Sequence, residues 1–404
     1  MATRSGSPDP EIAPTDAGGD PLGRWCAALD DAYPPVHAES WDAVGLHVGD
    51  RLGDRVTGVL VTLDVTEAVL DEAAGLGADL VVAHHPLLFG PLARLTPTTA
   101  PGRLALRAAR QGVAVLAVHT NVDKAVDGTS HPAADVLALQ ERRPLQPLAP
   151  DPGDAPTKIV TFAPTDATDA VIRAMAAAGA GVIGDYTECA FTTPGTGTFR
   201  PGDATDPHVG TRGQREFVAE DRIEVVAPRR HVPAIRAALA EAHPYEEVPI
   251  DLYPLVADPS PSAMGLGVRG RLPDPLPLAE VARRLADGLP SPHLRLAATD
   301  PAATATTVAI CGGSGDSLIE AVLDADGRAT VDVFVTGDLK HHRTLDALTL
   351  GLPLIDAGHF ATEDPAMDGV VAALEARRDD FGLTAPIHRS CVVTDPWTDW
   401  RAPA

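Results

Sequence analysis

The stretch Asp79-Leu80-Val81-Val82-Ala83-His84-His85-Pro86-Leu87-Leu88-Phe89 decides the fold. Its apolar run is continuous rather than alternating, as in a strand buried on both faces of a parallel sheet. Pro86 lacks the N–H that a ladder needs, so the strand stops at the two histidines. Open α/β sheets bind their ligands beyond the carboxyl ends of the strands. The two imidazoles therefore stand where such a protein keeps its chemistry. Read alone, they fit equally well as loop histidines without a ligand, and the neighbouring segments decide between the two readings.

Outward from this stretch the pattern repeats. Toward the N-terminus, Leu22, Trp25, Cys26 and Leu29 have helical spacing. Pro34 and Pro35 end that helix, and a loop over 37–46 enters a strand. Residues 58–63 predict another strand, and Thr66 a helix N-cap, with Gly75 and Gly77 as stop signals. Toward the C-terminus follow a helix over 103–110 and a strand over 113–118. That strand runs into His119-Thr120-Asn121-Val122-Asp123. Strands alternating with helices predict an α/β domain with a largely parallel sheet.

Five prolines within 141–157 interrupt the pattern and predict a boundary. Residues 158–257 read as an inserted α+β domain, with helices over 167–180 and 232–242, closed by a Pro-Ser linker at 258–262. The α/β pattern resumes near 263. A strand over 307–311 runs into Gly312-Gly313-Ser314-Gly315 and a helix over 316–324. A strand over 331–335 precedes Thr336-Gly337-Asp338-Leu339-Lys340-His341-His342. Residues 352–355 lead into Asp356-Ala357-Gly358-His359-Phe360-Ala361-Thr362-Glu363. The expected organisation is a disordered tail at 1–20 and two halves of one domain, 21–150 and 263–404, around the insertion. The halves echo each other. Both Asp79 to His85 and Asp332 to His342 run from an acid through an apolar strand to a double histidine. Both Gly112 to Asp123 and Gly351 to Glu363 run from glycine through a strand to histidine and an acid.

The chain has 404 residues, 45% of them hydrophobic, enough for more than one core. Its 32 basic and 56 acidic side chains give 32 − 56 = −24. That charge repels nucleic acid and anionic membranes, so neither is expected as a partner. Cys26, Cys189, Cys311 and Cys391 form no CxxC pair, which fits a reduced, cytoplasmic setting rather than a disulfide framework. No apolar run is long enough to span a membrane. The first twenty residues lack the apolar core of a signal peptide.

Six of the fourteen histidines lie at strand ends: His84, His85, His119, His341, His342 and His359. Asp123 and Glu363 stand beside them. Imidazole with carboxylate suits zinc, iron, manganese or a similar divalent ion. His359 and Glu363 are four apart, so a helical turn places both on one face. His84, His85, His359, Asp123 and Glu363 exceed what one tetrahedral site with an open position needs. They suit two ions about 3.5–4 Å apart, with Asp123 as the bridge and a metal-bound hydroxide as nucleophile. His119, His341 and His342 remain as proton shuttles or substrate contacts. The plainer alternative is that strand-end histidines cap the sheet through loop carbonyls. Gly312 to Gly315 could present amides to a phosphate or could be a tight turn. His243-Pro244-Tyr245-Glu246-Glu247 reads as a turn into a strand.

Five ordered motifs carry a resemblance over nearly the whole chain after residue 20. They are Trp41-Asp42-Ala43-Val44-Gly45-Leu46, His84 to Phe89, His119 to Asp123, Thr336-Gly337-Asp338 with His341-His342, and Asp356 to Glu363. Together they resemble the Nif-three-like family of dinuclear metal-centre hexameric proteins, whose members carry the name GTP cyclohydrolase 1 type 2 homologue. The resemblance implies His84, His85, Asp123, His359 and Glu363 as metal ligands. It also implies a homohexamer with its metal sites facing an internal cavity. The insertion, through 184–189, 195–201 and 243–247, is similar to the PII- and CutA-like folds of the longer members. Ala43 and Asp338 depart from the family's usual Asn and Glu. The expected activity is a metal-dependent hydrolase acting on a small molecule, a nucleotide-like or phosphorylated substrate. A non-catalytic metal-binding scaffold, metal chaperone or PII-like sensor is the alternative.

Overall fold

The computed structural model describes residues 19–149, 153–256, 262–290 and 294–398. Most of the expected N-terminal tail and of the linker at 258–262 lies outside the described residues. The chain divides into two compact units, Met1–Leu148 with Ser262–Ala404, and Ala149–Pro261.

The first unit opens with α1 (Leu22–Ala32), which buries Leu22, Trp25, Cys26 and Leu29 on one face. The short strand β1 (Gly45–Val48) is followed by β2 (Val59–Thr62). Helix α2 (Glu67–Leu76) begins at Thr66, whose side chain accepts from the Val69 amide, and ends at Gly77 with φ 67°. Strand β3 (Leu80–Ala83) is the opening stretch, buried at every position. Helix α3 (Ala100–Gln111), β4 (Ala114–Ala117) and a single helical turn, α4 (Thr120–Asp123), complete this half. β2, β3 and β4 pair in parallel, and β1 lies antiparallel beside β4.

The two units divide at Leu148 and Ala149, inside the expected 141–157, and the first unit keeps residues 140–147. Those residues form strand β5 (Gln140–Pro147), on the edge of the second sheet. Pro144 and Pro147 are tolerated there because an edge strand needs only one row of hydrogen bonds.

The unit Ala149–Pro261 has its own core, built on Ile159, Val171, Met175, Ile223, Ile235 and Leu239. Its chain order is β6 (Pro156–Pro164), α5 (Thr168–Ala177), β7 (Phe191–Phe199), β8 (Glu216–Pro228), α6 (Val232–Ala242) and β9 (Ile250–Pro254). The sheet order β9-β6-β8-β7 is antiparallel throughout, the ferredoxin-like βαββαβ arrangement. An inserted α+β domain is what the sequence led us to expect.

The first unit resumes with β10 (Gly265–Pro277), which lies between β5 and β12 (Thr304–Ser314), and α7 (Leu278–Gly288). The short strand β11 (Arg295–Ala297) precedes β12. Then come β13 (Val333–Gly337), α8 (His341–Thr349), β14 (Leu354–Asp356), a single turn α9 (His359–Glu363), α10 (Met367–Glu375) and β15 (Ile387–Arg389). β12, β13 and β14 pair in parallel, and β11 lies antiparallel beside β14. This is the plan of the first half: three parallel strands in sequence order, with a preceding short strand antiparallel to the third. The echo seen in the sequence is thus a topological repeat. β15 joins the first sheet beside β2.

Helices cover both faces of each sheet. Val59, Val61, Leu80 and Val82 pack with α1 and α10, while Leu60 and Val81 pack with α2 and α3. In the second sheet Val308, Ile310, Val333 and Val335 face α7, and Ala309, Phe334 and Leu354 face the opposite side with Ile319 and Val322. Sheets buried on both faces hold their strand ends rigidly, which a ligand site requires.

Candidate metal centre

Every strand end expected to carry chemistry belongs to the first unit. His84 and His85 continue β3 by one step, their amides donating to the carbonyls of Thr62 and Leu63 at 3.1 and 2.9 Å. Asp123 ends α4, one turn beyond β4. His359 and Glu363 begin and end α9, one above the other, with Nε2 and Oε2 2.9 Å apart. The two matched halves thus contribute from both sides.

The five residues meet. His85 Nε2 lies 3.0 Å from Glu363 Oε2, and 3.2 Å from His359 Nε2. His84 Nε2 lies 3.5 Å from Asp123 Oδ1 and 3.9 Å from Glu363 Oε1. They form two groups of metal-ligand type, His85–His359–Glu363 and His84–Asp123–Glu363, and His84 and His85 also group with His119. The residue common to the first two is Glu363, not Asp123. Asp123 belongs to the second group alone and accepts from the Thr129 hydroxyl at 2.6 Å, while Glu363 reaches both groups.

The tautomers follow from what each ring holds on its other nitrogen. His84 Nδ1 donates to the Val118 carbonyl at 2.9 Å and His85 Nδ1 to Asp64 at 2.7 Å. His359 Nδ1 donates to Asp338 at 2.7 Å, and His119 Nδ1 to Asp42 at 2.8 Å. All four Nε2 atoms therefore turn their lone pairs toward the cluster or its edge. His84 Nε2 is buried and makes no hydrogen bond, and the buried Glu363 Oε2 faces only the Nε2 atoms of His85 and His359. Orphaned buried acceptors are costly, and lone pairs that face one another at 3.2 Å repel. A positive charge between them removes both penalties. The donor set fits divalent cations.

Without a cation, protons take that place. Burial opposes a charge on His85, but Asp64 and Glu363 outweigh it and raise its pKa to about 10. Burial likewise opposes His359, and Glu363 with Asp338 raises it to about 9. His84 has no such partner, and burial pushes it down to about 3. Burial, then the charge of Glu363, pushes Asp123 up to about 7. Burial works against Glu363 too, but the imidazoles of His359 and His85 hold it well below the usual range. An ion entering the cluster displaces these protons.

Gly313 is part of the same construction. A Cβ there would lie 1.9 Å from Glu363 Oε1. Of the two readings of the Gly-rich segment the structure fits the tight turn, with Gly313 at φ 62°. Strand β12 runs through Gly312 and Gly313, and the helix that follows is a 3-10 helix (Asp316–Val322). The amides of Gly312, Gly313 and Gly315 are already donated, to the hydroxyls of Ser130, Thr362 and Thr336. They are not free to cradle a phosphate.

His119 stands at the edge of the cluster with Trp41 and Phe89 edge-on, at centroid distances of 6.1 and 5.7 Å. His341 and His342 do not join it. They sit exposed in the first turn of α8, because Asp338 and not the double histidine occupies the turn after β13. Sequence reasoning missed Asp64, Asp42 and Asp338 as the carboxylates that orient His85, His119 and His359. The one available signal was an acid immediately after an apolar strand, as at Asp64.

Two α/β sheets of one topology, joined across a His/carboxylate cluster able to hold metal ions, define the class of protein. The family model Duf34/NIF3 (NGG1p interacting factor 3) matches residues 22–396, and the chain belongs to that family. A relative from Mycobacterium tuberculosis named GTP cyclohydrolase 1 type 2 homolog is 41% identical over 372 residues, 91% of this chain and 94% of its own. A Bacillus cereus protein related to NIF3 superposes with TM-score 0.73 at 35% identity, covering 93% of this chain and 97% of its own. A Staphylococcus aureus protein of known crystal structure gives TM-score 0.77 at 27% identity, covering 95% and 99%. No described helix is long and apolar enough to cross a membrane.

Proposed function

We propose that the cluster holds two divalent metal ions and that the chain is a metal-dependent hydrolase of nucleotide-like or phosphorylated compounds. The observation that carries this reading is the orphaned buried acceptor His84 Nε2 within a convergent His/carboxylate set that includes Glu363. His85, His359 and Glu363 would hold one ion, and His84, Asp123 and Glu363 the other. Bound there, the ions supply Lewis acidity toward the substrate and activate water at neutral pH. Burial of His84 and Glu363 excludes bulk water and strengthens every charge interaction in the site. Asp42 holds His119 in one tautomer, with Nε2 available to accept or return a proton beside the reacting centre. The name of the mycobacterial relative is consistent with a nucleotide substrate.

Assembly as a homohexamer is part of the same proposal. Phe191 and Phe217, 66% and 68% exposed in the second unit, are apolar surface that such an assembly would cover. The ferredoxin-like order of that unit supports its likeness to PII- and CutA-like folds.

The test is a screen of metal-loaded protein against GTP, other nucleotides and phosphodiesters, alongside Asp123→Ala. We expect turnover in the wild type that disappears with Asp123→Ala and with chelation. No metal-dependent turnover of any of them would leave the non-catalytic scaffold as the better reading.

A further inference from the structure

Beside the cluster lies a cavity of about 1130 Å³, bordered on the cluster side by Asp64, Asp338 and His359. Most charged groups on its wall are already committed. Asp64 holds His85 and accepts from the Thr394 hydroxyl, Asp338 holds His359, and Arg295 pairs with Asp356. Lys340 differs. Its Nζ is 3.8 Å from Asp316, too long for a hydrogen bond, and its side chain is 79% exposed. The other two lysines are both engaged at 2.7 Å, Lys124 with Glu39 and Lys158 with Glu224. Nor does Lys340 serve its helix. It is the N-cap of α8, gives no side-chain cap, and puts a cation at the positive end of the dipole.

The same cavity is bordered by Trp397, whose indole is 73% exposed. The coil that carries it is held to the body of the unit by the Thr394 hydroxyl, which donates to Asp64 at 2.5 Å, and turns locally where the Trp397 amide donates to Asp395 at 3.0 Å. An exposed indole at the rim of this cavity, on a coil held at Thr394, offers a flat surface to a planar ring.

We propose that this cavity binds a phosphate ester of a planar heterocycle, with Lys340 taking the phosphate and Trp397 stacking on the ring. The proposal rests on the metal-centre reading above and names the substrate class of that site. An ammonium group is a point-charge partner for phosphate. The chain's net charge of −24 disfavours an anion, so bound cations next to the cavity are needed to reverse the local field.

The experiment uses the full-length, zinc-loaded chain and titrates GMP and inorganic pyrophosphate by calorimetry, with zinc content measured on every variant. Lys340→Ala is expected to weaken both ligands about tenfold or more, with zinc content unchanged. Trp397→Ala is expected to weaken GMP but not pyrophosphate. Wild-type affinity for GMP in either Lys340→Ala or Trp397→Ala overturns the proposal, as does zinc-loaded wild type that binds neither ligand. Failure of the underlying reading looks different: the wild type would not retain zinc. Both side chains are exposed, so their replacement does not threaten the fold.

Discussion

The Nε2 atoms of His85 and His359 stand 3.2 Å apart although the residues are 274 positions apart in sequence. Each ring is pinned by a carboxylate on its other nitrogen, so neither can turn away. Two mixed sheets, each with three parallel strands that lead into ligand-type side chains, hold this contact. It makes sense only with a cation or protons between the two halves.

Asp64 and Asp338 act through those rings. Replacing either with alanine frees the Nδ1–H and lets the imidazole rotate. Loss of such a partner lowers metal affinity by about 10- to 100-fold. Competition with a chelator of known affinity, on protein whose circular dichroism is unchanged, measures this for Asp64→Ala and Asp338→Ala.

Gly313→Ala is a steric test. Its Cβ would lie 1.9 Å from Glu363 Oε1, and its φ of 62° favours glycine. The backbone term alone costs on the order of 1 kcal/mol. The larger effect expected is displacement of Glu363. Metal content should fall well beyond what the small drop in thermal midpoint explains, as measured by elemental analysis and a melting curve.

The pH dependence of the metal-free protein has a definite sign. His85 and His359 have pKa values raised to about 10 and about 9. Their stabilisation is fully present below the unfolded histidine value of about 6.5 and is lost as pH rises through the folded values. The melting temperature of the metal-free chain should therefore fall between about pH 7 and 10. Metal-loaded protein should lack this fall, and loading near pH 8 should release protons, measurable in weakly buffered solution.

How much of this was legible in the sequence depended on local punctuation. Leu80 to Ala83 could be read as a buried strand because four apolar residues end at Pro86, and His84 and His85 follow from that end. His359 and Glu363 could be paired because one helical turn separates them. The orienting acids could not, since Asp42 lies 77 positions from His119 and no spacing rule connects them. Pro144 and Pro147 hid strand β5 but not the boundary, because a proline-rich edge strand looks like a linker when its single partner, β10, is far away in sequence. At Gly313 the sequence left a phosphate loop and a tight turn both open, since what the glycine accommodates, the Glu363 carboxylate, comes from α9, beyond two further strands.

The central claim is that Glu363 is shared by two metal-binding groups, and the count of bound ions tests it most directly. Elemental analysis of zinc-loaded, desalted protein should find about two ions per chain in the wild type. His359→Ala, which touches one group, should lose one of them, and Glu363→Ala should lose both while keeping the fold. Zinc occupancy in Glu363→Ala equal to that of the wild type would contradict the account.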